Sequence, residues 1–333
     1  MAKKIRVAIN GFGRIGRHAF KVARKKKNIQ IVAINDLTDT KTLAHLLKYD
    51  TAYPDFEEPV SFDGDHIIVG KTKIAIFQEK DPLALPWKKM KIDVVIESTG
   101  FFRTKEAASK HIDAGAKKVV ISAPGKGDGI TSFVRGVNDT SYTNETVIDG
   151  ASCTTNCAAP VMQVMESVFG VKQGMISTIH AYTTDQRLQD APHSDLRRAR
   201  AAAQNIIPTS TGAAIATTRV IPSLKGKFDG MSIRVPAITV SLTDFTLVLK
   251  KKVTAEEVNK ALRKAANGNM KGIIHIVDEP LVSSDFIGSP YSSNVDVALT
   301  NVVGGTMVKI ISWYDNEWGY ANRLVELVER VGA

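Results

Sequence analysis

Apolar residues in the first part of the chain form two runs typical of buried strands, with a helical pattern between them. The runs Ile5–Asn10 and Ile29–Asn35 are nearly continuous, as in the strands of a parallel sheet that is covered on both faces. Between them, Ile15, Ala19 and Val22 recur at helical spacing and predict an amphipathic helix. The order strand, helix, strand is typical of an α/β fold.

The same alternation continues through the first half of the chain. Apolar runs predict further parallel strands at Asp93–Gly100 and Lys118–Ser122, separated by a helix from about Thr104 to Ala114. The shorter elements expected in this half are a helix at Thr42–Leu47, two strands flanking Asp63-Gly64-Asp65 and a last strand at Val147–Asp149. We therefore expect a Rossmann-type, doubly wound dinucleotide-binding domain.

The second half of the chain has a different pattern. Helical spacing from Val161 to Val168 predicts a helix that begins near Cys153. From Ile233 to Leu249 the alternation favours antiparallel strands over another doubly wound unit. The other elements expected are strands at Met175–Tyr182, Val295–Asn301 and Met307–Tyr314, a helix capped by Thr254-Ala255-Glu256-Glu257, and an amphipathic terminal helix at Arg323–Val328. This half predicts an α+β domain with a mostly antiparallel sheet.

Length and composition agree with a globular protein of two domains. A chain of 333 residues exceeds what one core usually carries, and 44% hydrophobic with 23% charged residues is an ordinary composition. No apolar run is long enough to span a bilayer, and Met1-Ala2-Lys3-Lys4 precedes the first strand without an apolar leader. The 2 cysteines provide no disulfide framework, so a reducing, cytoplasmic location is expected.

The formal net charge of +10 favours anionic partners. The densest basic run, Arg24-Lys25-Lys26-Lys27, falls where the first helix is expected to end, and cations suit that helix end without any ligand. A phosphorylated small molecule explains the excess charge as well as nucleic acid does. Nucleic-acid binding is therefore not required, and no membrane partner is expected.

A glycine-rich turn joins the first strand to the first helix. Gly11 can make the tight turn, Gly13 can admit a pyrophosphate, and Gly16 can let helix and strand pack closely. Asp36 closes the second strand 20 residues after Gly16, the spacing expected for a carboxylate that binds a ribose. Because this carboxylate would repel a 2′-phosphate, NAD is favoured over NADP.

A cysteine at the expected start of a helix is the strongest candidate nucleophile. Cys153 lies within Ala151-Ser152-Cys153-Thr154-Thr155-Asn156-Cys157, where free amide groups and the helix dipole favour a thiolate. The alternative is a buried, inert residue. Cys157 lacks nearby partners for a zinc site, so we predict core packing for it and no metal. The isolated histidines, interpreted as structural or surface residues, are His18, His45, His66 and His111.

Polar segments of the second half supply candidate anion-binding groups. His180 lies on a predicted strand, and the long polar stretch from Thr183 to about Gln204 follows it; so long an irregular segment is usually functional. Its arginines suit a phosphate or a charged subunit contact. The loop Pro208–Ala213 offers donors to an anion, although alone it is an ordinary turn. The polar residues that need no ligand to explain them are Arg234 on its strand and Thr99 and Ser122 at strand ends.

Six stretches carry a family resemblance. They are Asn10–Arg17, Ala151–Cys157, His180–Thr183, Asp195–Arg200, Pro208–Ala213 and Trp313–Tyr320. With all of them in order, the chain closely resembles phosphorylating glyceraldehyde-3-phosphate dehydrogenases of the glycolytic type over essentially its full length. The resemblance implies an NAD-dependent oxidoreductase that is a cytosolic homotetramer.

The resemblance also assigns roles by position. Cys153 matches the nucleophile and His180 the base that activates it. The positions that match groups holding the attacking inorganic phosphate are Ser152, Thr154, Thr211 and Gly212. Those that match the site for the substrate's own phosphate ester are Thr183, Asp185, Arg198 and Arg234. The positions expected to bind NAD, from the glycine motif or from the resemblance, are Gly11, Gly13, Arg14, Ile15, Gly16, Asp36, Lys80, Thr99, Ser122 and Asn316.

The same resemblance implies domain limits, and the chain departs from the family pattern at one position near the cofactor. Residues 1–151 and 316–333 are implied to form a discontinuous NAD-binding domain closed by the terminal helix, with residues 152–315 as the catalytic domain. The arginine-rich segment after Thr183 is implied to reach a neighbouring subunit's NAD site. Many NAD-specific relatives have leucine where this chain has Ala191, beside the neighbouring ribose. Its loss weakens the exclusion of NADP and allows some NADP use.

The implied reaction is the oxidation of D-glyceraldehyde 3-phosphate to 1,3-bisphosphoglycerate, with inorganic phosphate taken up and NAD reduced. It runs through a hemithioacetal and a thioester on Cys153. Three alternatives stay open. They are an erythrose-4-phosphate dehydrogenase, a thiol hydrolase that needs no NAD, and an additional RNA-binding or redox-sensing role.

Overall fold

The computed structural model describes residues 4–333, so the leader prediction at Met1–Lys3 concerns positions outside the described residues. The chain divides into two compact units. The first comprises the chain up to Phe133, with Ser141–Ala151 and Ala321–Ala333; the second comprises Val134–Thr140 and Ser152–Tyr320. These limits differ from the predicted domains in two segments, 134–140 and 316–320, which both belong to the second unit.

Strands and helices alternate in the first unit. Its helices are α1 (Arg14–Arg24), α2 (Thr40–Lys48), α3 (Trp87–Met90), α4 (Lys105–Asp113) and, at the end of the chain, most of the terminal helix. Its strands are β1 (Ile5–Asn10), β2 (Ile29–Asn35), β3 (Val60–Asp63), β4 (His66–Val69), β5 (Thr72–Phe77), β6 (Val94–Glu97), β7 (Lys118–Ile121), β8 (Thr131–Ser132) and β9 (Val147–Asp149). Asp39 and Thr104 cap α2 and α4, because each side chain accepts a hydrogen bond from a backbone N–H of the first turn.

These strands form one sheet within the described part of the chain, in the order β3-β4-β5-β2-β1-β6-β7-β9-β8. The strands from β5 to β8 in this order pair in parallel, whereas β3, β4 and β5 pair antiparallel at one edge. The order reverses at β1, since β2 lies on one side of it and β6 on the other. Doubly wound sheets bind ligands beside such a reversal, at the carboxyl ends of the strands.

Apolar side chains attach the helices to this sheet. On α1 the predicted positions Ala19 and Val22 are buried, together with Phe20, whereas Ile15 is half-buried. Trp87 of α3 is fully buried in a cluster that contains Val95 of β6. Burying a large apolar side chain contributes roughly 1.5–3 kcal/mol, so this packing holds the strand ends in place.

The second unit follows with longer strands. Its helices are α5 (Cys153–Phe169), α6 (Ala213–Val220), α7 (Ala255–Asn267) and the start of α8 (Trp318–Gly332). Its strands are β10 (Val171–Ala181), β11 (Ile207–Ser210), β12 (Phe228–Val235), β13 (Ser241–Leu249), β14 (Ile274–Val277), β15 (Ser293–Val303) and β16 (Met307–Tyr314). Thr254 and Glu257 form the predicted capping box at the start of α7.

The strands of the second unit form a mostly antiparallel sheet in the order β11-β12-β10-β13-β16-β15-β14. Within residues 4–333 its parallel pairs are β10 with β12 and β14 with β15. The other neighbouring strands pair antiparallel. The long strand β10 ends at Ala181, so His180 lies at its carboxyl end beside β12.

One local prediction is wrong: Pro208–Ser210 is not a loop but part of β11, which pairs with β12, and α6 begins after Gly212. The antiparallel prediction for Ile233–Leu249 is confirmed for the sheet as a whole. The local exception is β12, which pairs in parallel with β10, the strand between β12 and β13. Alternation along a strand reports which face is buried and says nothing of the partner's direction. As for membranes, no helix in residues 4–333 is both long and apolar enough to cross one.

Candidate active site

A cavity of about 570 Å³ lies in the first unit, at the carboxyl ends of β1, β2 and β6. This is the place where the strand order reverses. The residues predicted to bind NAD that line it are Gly11, Gly13, Asp36, Lys80 and Thr99. Its size and its position at the sheet edge suit a nucleotide.

The three glycines fit a dinucleotide for three different reasons. Gly11 has a φ of +90°, and an added Cβ would lie 2.7 Å from the backbone of Ser98 and Thr99. A Cβ on Gly16 would lie 2.1 Å from the Gly11 carbonyl oxygen, so helix and turn can pack only without it. Gly13 differs, since a Cβ there would meet no atom within 4 Å. The open space above Gly13 adjoins the first N–H groups of α1, which suits a pyrophosphate.

Asp36 lies directly after β2 and lines the same cavity. Its carboxylate accepts hydrogen bonds from the backbone N–H groups of Phe12 at 2.7 Å and Thr38 at 2.9 Å. These bonds fix the side chain and leave lone pairs on both oxygens. A fixed carboxylate beside this cavity can accept hydrogen bonds from ribose hydroxyls, as the sequence predicts.

The other residues predicted to bind NAD do not line this cavity: Arg14, Ile15, Gly16, Ser122 and Asn316. Arg14 forms an ion pair with Asp50 at 2.7 Å, with its guanidinium 5.7 Å from the centre of the Tyr53 ring. Asn316 belongs to the second unit, where its Oδ1 accepts a hydrogen bond from Ser241 at 2.9 Å. Their roles stay predictions.

Residues that sequence reasoning missed also line the cavity. Asn10 and Asn35 end β1 and β2, are both buried, and lie 2.7 Å apart through a side-chain hydrogen bond. Phe101 leaves its ring 86% exposed, an unusual position for a large apolar group. A signal for the asparagines was available, since each ends a predicted strand at the ligand-binding edge of the sheet.

In the second unit Cys153 is the first residue of α5, as the apolar spacing predicts. Ser152 caps this helix, because its hydroxyl oxygen accepts a hydrogen bond from the Thr155 N–H at 3.0 Å. Cys153 is half-buried, whereas Cys157 is fully buried and lies 3.6 Å from the Ser312 hydroxyl. Burial raises the pKa of Cys157 to about 11, so this thiol is a core residue, as predicted.

His180 connects the cysteine to an arginine on the neighbouring strand. Its Nε2 lies 3.6 Å from Cys153 Sγ. Its Nδ1 lies 2.7 Å from the Ala181 carbonyl oxygen, which also accepts a hydrogen bond from Arg234 at 3.1 Å. Since a carbonyl oxygen only accepts, the 2.7 Å contact assigns the imidazole hydrogen to Nδ1. Arg234 Nη1 lies 3.0 Å from Nδ1 because both nitrogens then donate to the same Ala181 oxygen. This tautomer presents the Nε2 lone pair to the thiol, the arrangement that a general base needs.

Burial and charge act against each other on this pair. Burial raises the pKa of the Cys153 thiol, while the charge of Arg234 and hydrogen bonds from Thr154 lower it. Burial, with Arg234, lowers the pKa of His180 to about 3. Taken singly, each group is therefore favoured in its neutral form. Proton transfer from Cys153 to His180 nevertheless creates two opposite charges that stabilise each other, so the ionisation belongs to the pair.

Most residues predicted to bind the substrate's phosphate ester are joined by hydrogen bonds. Arg198 forms an ion pair with Asp185 at 2.5 Å and donates to Thr209 Oγ1 at 2.9 Å. Arg234 donates to Thr183 Oγ1 at 3.5 Å. Arg198 also contributes to the electrostatic field at Arg234 and His180. A cluster of two arginines with hydroxyl groups, within one unit, suits a phosphate.

The residues predicted to hold inorganic phosphate differ from one another in how accessible they are to a ligand. Gly212 precedes α6, where the first N–H groups lack helical partners, and Thr211 Oγ1 accepts a hydrogen bond from the Ala213 N–H at 3.2 Å. Thr154, however, is buried, and its hydroxyl lies 2.9 Å from the hydroxyl of Tyr314. Tyr314 was not predicted, and no local signal in the sequence connects it to Thr154. Burial raises the pKa of Tyr314, so this contact joins two neutral hydroxyls.

Comparison with known families agrees with this geometry. Residues 5–105 match the family model described as the NAD binding domain of glyceraldehyde 3-phosphate dehydrogenase. Residues 152–316 match the model described as the C-terminal domain of the same enzyme. The two matches contain, respectively, the cavity of the first unit and the cysteine–histidine pair of the second.

Similarity to individual proteins extends over nearly the whole chain. Glyceraldehyde-3-phosphate dehydrogenase of Priestia megaterium is 52% identical over 331 residues, which cover 99% of this chain and 98% of that protein. The Streptomyces coelicolor enzyme of the same name is 53% identical over 332 residues, 98% of each chain. The chloroplastic glyceraldehyde-3-phosphate dehydrogenase A of Chlamydomonas reinhardtii is 54% identical over 331 residues, 98% of this chain and 88% of that protein.

Proposed function

The chain belongs to the glyceraldehyde-3-phosphate dehydrogenase family, and from this premise we propose that it oxidises D-glyceraldehyde 3-phosphate to 1,3-bisphosphoglycerate. It is an NAD-dependent oxidoreductase. The observation that carries the proposal is the 3.6 Å approach of His180 Nε2 to the half-buried Cys153 thiol at a helix N-terminus. None of the relatives' names reported above supports erythrose 4-phosphate as the substrate.

The first step is addition of the Cys153 sulfur to the aldehyde carbon. A C–S bond forms, the C=O double bond becomes an alkoxide, and the thiol proton passes to His180 Nε2. His180 then returns this proton to the alkoxide, which gives a hemithioacetal. The free N–H groups of the first turn of α5 support stabilisation of the oxyanion during the addition.

Oxidation converts the hemithioacetal to a thioester. NAD, when bound, supplies the hydride acceptor for this chemistry. The residues that would hold it include Gly11, Gly13, Asp36 and Thr99, and the fit of an open Gly13 beside a fixed Asp36 supports this assignment. As the carbon–oxygen double bond forms again, the hydroxyl group of the hemithioacetal loses its proton, and His180 takes up this proton.

Inorganic phosphate completes the reaction by attacking the thioester carbon. A C–O bond forms, the C–S bond breaks, and the sulfur of Cys153 receives the electron pair. Arg198 and Arg234 with Thr183 support a site for the phosphate ester, and the N-terminus of α6 at Gly212 supports a second site for the attacking phosphate.

Family membership also supports proposals for the oligomeric state and the cellular location of the protein. Leu188, Leu196 and Ile206 of the second unit are exposed by 82%, 81% and 72%, which supports a subunit contact there. We therefore expect a homotetramer. We propose a cytoplasmic location, because the 2 cysteines of the chain provide no disulfide framework.

The test is NADH absorbance at 340 nm, the usual wavelength for the reduced cofactor, during incubation with glyceraldehyde 3-phosphate and NAD. Absorbance should rise with phosphate present and should nearly stop after about one turnover per site without it. Cys153→Ala should abolish turnover and keep NAD binding, because the cavity lies in the other unit. Turnover by Cys153→Ala, or equal rates without phosphate, would refute the proposal. The same assay with NADP and with erythrose 4-phosphate measures the two specificities.

A further inference from the structure

A buried polar network lies directly beneath the cavity of the first unit. Glu97 at the end of β6 and His111 of α4 are both fully buried, and Glu97 Oε2 lies 3.1 Å from His111 Nε2. Their neighbours Asn10 and Thr99 line the cavity. The sequence alone suggested only a structural or surface role for His111, and no role for Glu97.

The orientation of one arm of this network is fixed by a backbone donor. The N–H of Glu79 donates to Asn35 Oδ1 at 2.8 Å, so Nδ2 of Asn35 is the atom that faces Asn10. Asn35 Nδ2 donates to Asn10 Oδ1 at 2.7 Å, which turns the Asn10 amide nitrogen toward Glu97. That nitrogen donates to Glu97 Oε2 at 2.5 Å. No alternative amide orientation satisfies all three contacts.

The other arm is fixed by an indole. Trp87 Nε1 can only donate, and it lies 3.0 Å from His111 Nδ1. Nδ1 of His111 is therefore an unprotonated acceptor, and the ring hydrogen is on Nε2, where it points to Glu97 Oε2. The Asn10 amide and this ring nitrogen lie 3.3 Å apart because both donate to the same oxygen. His111 is thus a neutral imidazole with one fixed tautomer.

The second carboxylate oxygen faces the cavity wall. Glu97 Oε1 accepts a hydrogen bond from the Thr99 N–H at 2.8 Å and is also in contact with the Thr99 hydroxyl. The Thr99 hydroxyl in turn accepts a hydrogen bond from the Phe101 N–H at 3.1 Å. The groups that face the carboxylate are all uncharged, and three of the four can only donate. An ionised carboxylate satisfies every one of these donors.

We propose that Glu97, ionised and held by neutral His111, is the positioning residue that sets the floor of the NAD site. The inference rests on the proposed function, since it names this cavity as the NAD site. One oxygen of Glu97 orients Asn10 and the other orients Thr99, so both cavity-lining residues take their positions from one carboxylate. Glu97 and His111 act through these residues and do not themselves touch the ligand.

Packing alone does not account for a carboxylate at this position. The preceding residues of β6, Val94, Val95 and Ile96, are all apolar and fully buried. Burial of an ionised group is unfavourable unless its hydrogen bonds are complete, and an apolar residue would fill the same space without that penalty. Glu97 is the charged exception in β6, and it is also the last residue of the strand, at the edge of the sheet where ligands bind. The hydrogen bonds to the cavity wall are therefore the reason for the charge.

Three variants test the proposal, with NAD binding measured by isothermal titration calorimetry. Glu97→Gln places an amide NH₂ against groups that can only donate, and should weaken NAD binding by about tenfold or more. His111→Gln keeps a donor near the position of Nε2, toward Glu97, and loses the acceptor for Trp87. His111→Asn keeps that acceptor near Nδ1 and loses the donor. His111→Gln should therefore bind NAD within about threefold of the unaltered chain, whereas His111→Asn should bind about fivefold or more weakly.

A packing role for His111 predicts the opposite ranking, since only His111→Asn retains the bond to the buried indole. Equal NAD affinity of the two His111 variants, the reverse order, or an unchanged affinity of Glu97→Gln with a normal melting temperature would overturn the proposal. If Glu97→Gln fails to fold, the His111 pair decides. An NMR measurement of the imidazole nitrogens should show the neutral Nε2–H tautomer of His111. Failure of the unaltered chain to bind NAD would instead count against the proposed function.

Discussion

Replacing His180 with asparagine should move the pH dependence of Cys153 alkylation to higher pH. His180 Nε2 is 3.6 Å from the Cys153 sulfur and is the nitrogen whose lone pair faces it. Once His180 carries the proton, its positive charge stabilises the thiolate and so lowers the pH at which the thiol reacts. Asparagine carries no charge and is too short to reach the sulfur in the same way.

The size of the shift follows from the distance between the charges. Two unit charges 3.6 Å apart interact by about 4–5 kcal/mol at an effective dielectric constant of about 20, or roughly three pKa units. Water reduces this value because Cys153 is half-buried. We therefore expect the midpoint of alkylation to rise by about one to two pH units in His180→Asn. The sign is set by the lost cation, since burial alone already raises the pKa of the thiol.

The assay is the rate of iodoacetamide alkylation from about pH 5 to 10, the range in which thiols and imidazoles titrate. Native-state alkylation reports on Cys153, because Cys157 is fully buried and its pKa is raised to about 11. The matched control is His275→Asn, which removes an exposed histidine of the same unit and should leave the profile unchanged. Superimposable profiles for His180→Asn and the unaltered chain would refute the ion pair. They would mean that burial, not His180, determines the pKa of the Cys153 thiol.

The remaining predictions concern the glycine-rich turn between β1 and α1 and the carboxylate of Asp36. Gly16→Ala should lower the melting temperature by several degrees, because its Cβ would lie 2.1 Å from the Gly11 carbonyl oxygen. Gly13→Ala is the matched control for stability and should melt normally, yet weaken NAD binding in calorimetry, since its Cβ enters open space above α1. Normal NAD binding by Gly13→Ala would exclude that space as the pyrophosphate site. Asp36→Gly should raise the NADP to NAD ratio of kcat/KM by about tenfold or more, and an unchanged ratio would remove Asp36 from cofactor selection.

The parts that could be predicted from the sequence depend on residues close together in the chain. The βαβ unit, the turn at Gly11 and the helix start at Cys153 each follow from spacing within one or two elements. The pairing of His180 with Arg234 did not follow, since the two are opposite each other only through the parallel register of β10 and β12. Local spacing can identify Arg234 as a strand residue and cannot place a partner strand beside it.

The network under the cavity was hidden for a related reason. Glu97 ends a strand, His111 lies in the last turn of one helix, and Trp87 begins another, so no motif contains all three. Each residue taken alone has an ordinary explanation as part of its element. Their combination becomes visible only when β6, α3 and α4 are assembled around one carboxylate.

The two hydroxyls beside Cys153 show how burial separates residues that a motif groups together. Ser152 and Thr154 flank the cysteine, and the family resemblance gives both the same role toward phosphate. Ser152 is half-buried and accepts from the helix backbone, so its own hydrogen can still be donated to an anion if the hydroxyl of Thr155, 2.7 Å away, donates to it. Thr154 is buried, and its hydroxyl can donate to an anion only when the hydroxyl of Tyr314, 2.9 Å away, donates to it. Because Ser152 is half-buried and Thr154 is buried, we expect phosphate to contact Ser152 and the N-terminus of α6 before it contacts Thr154.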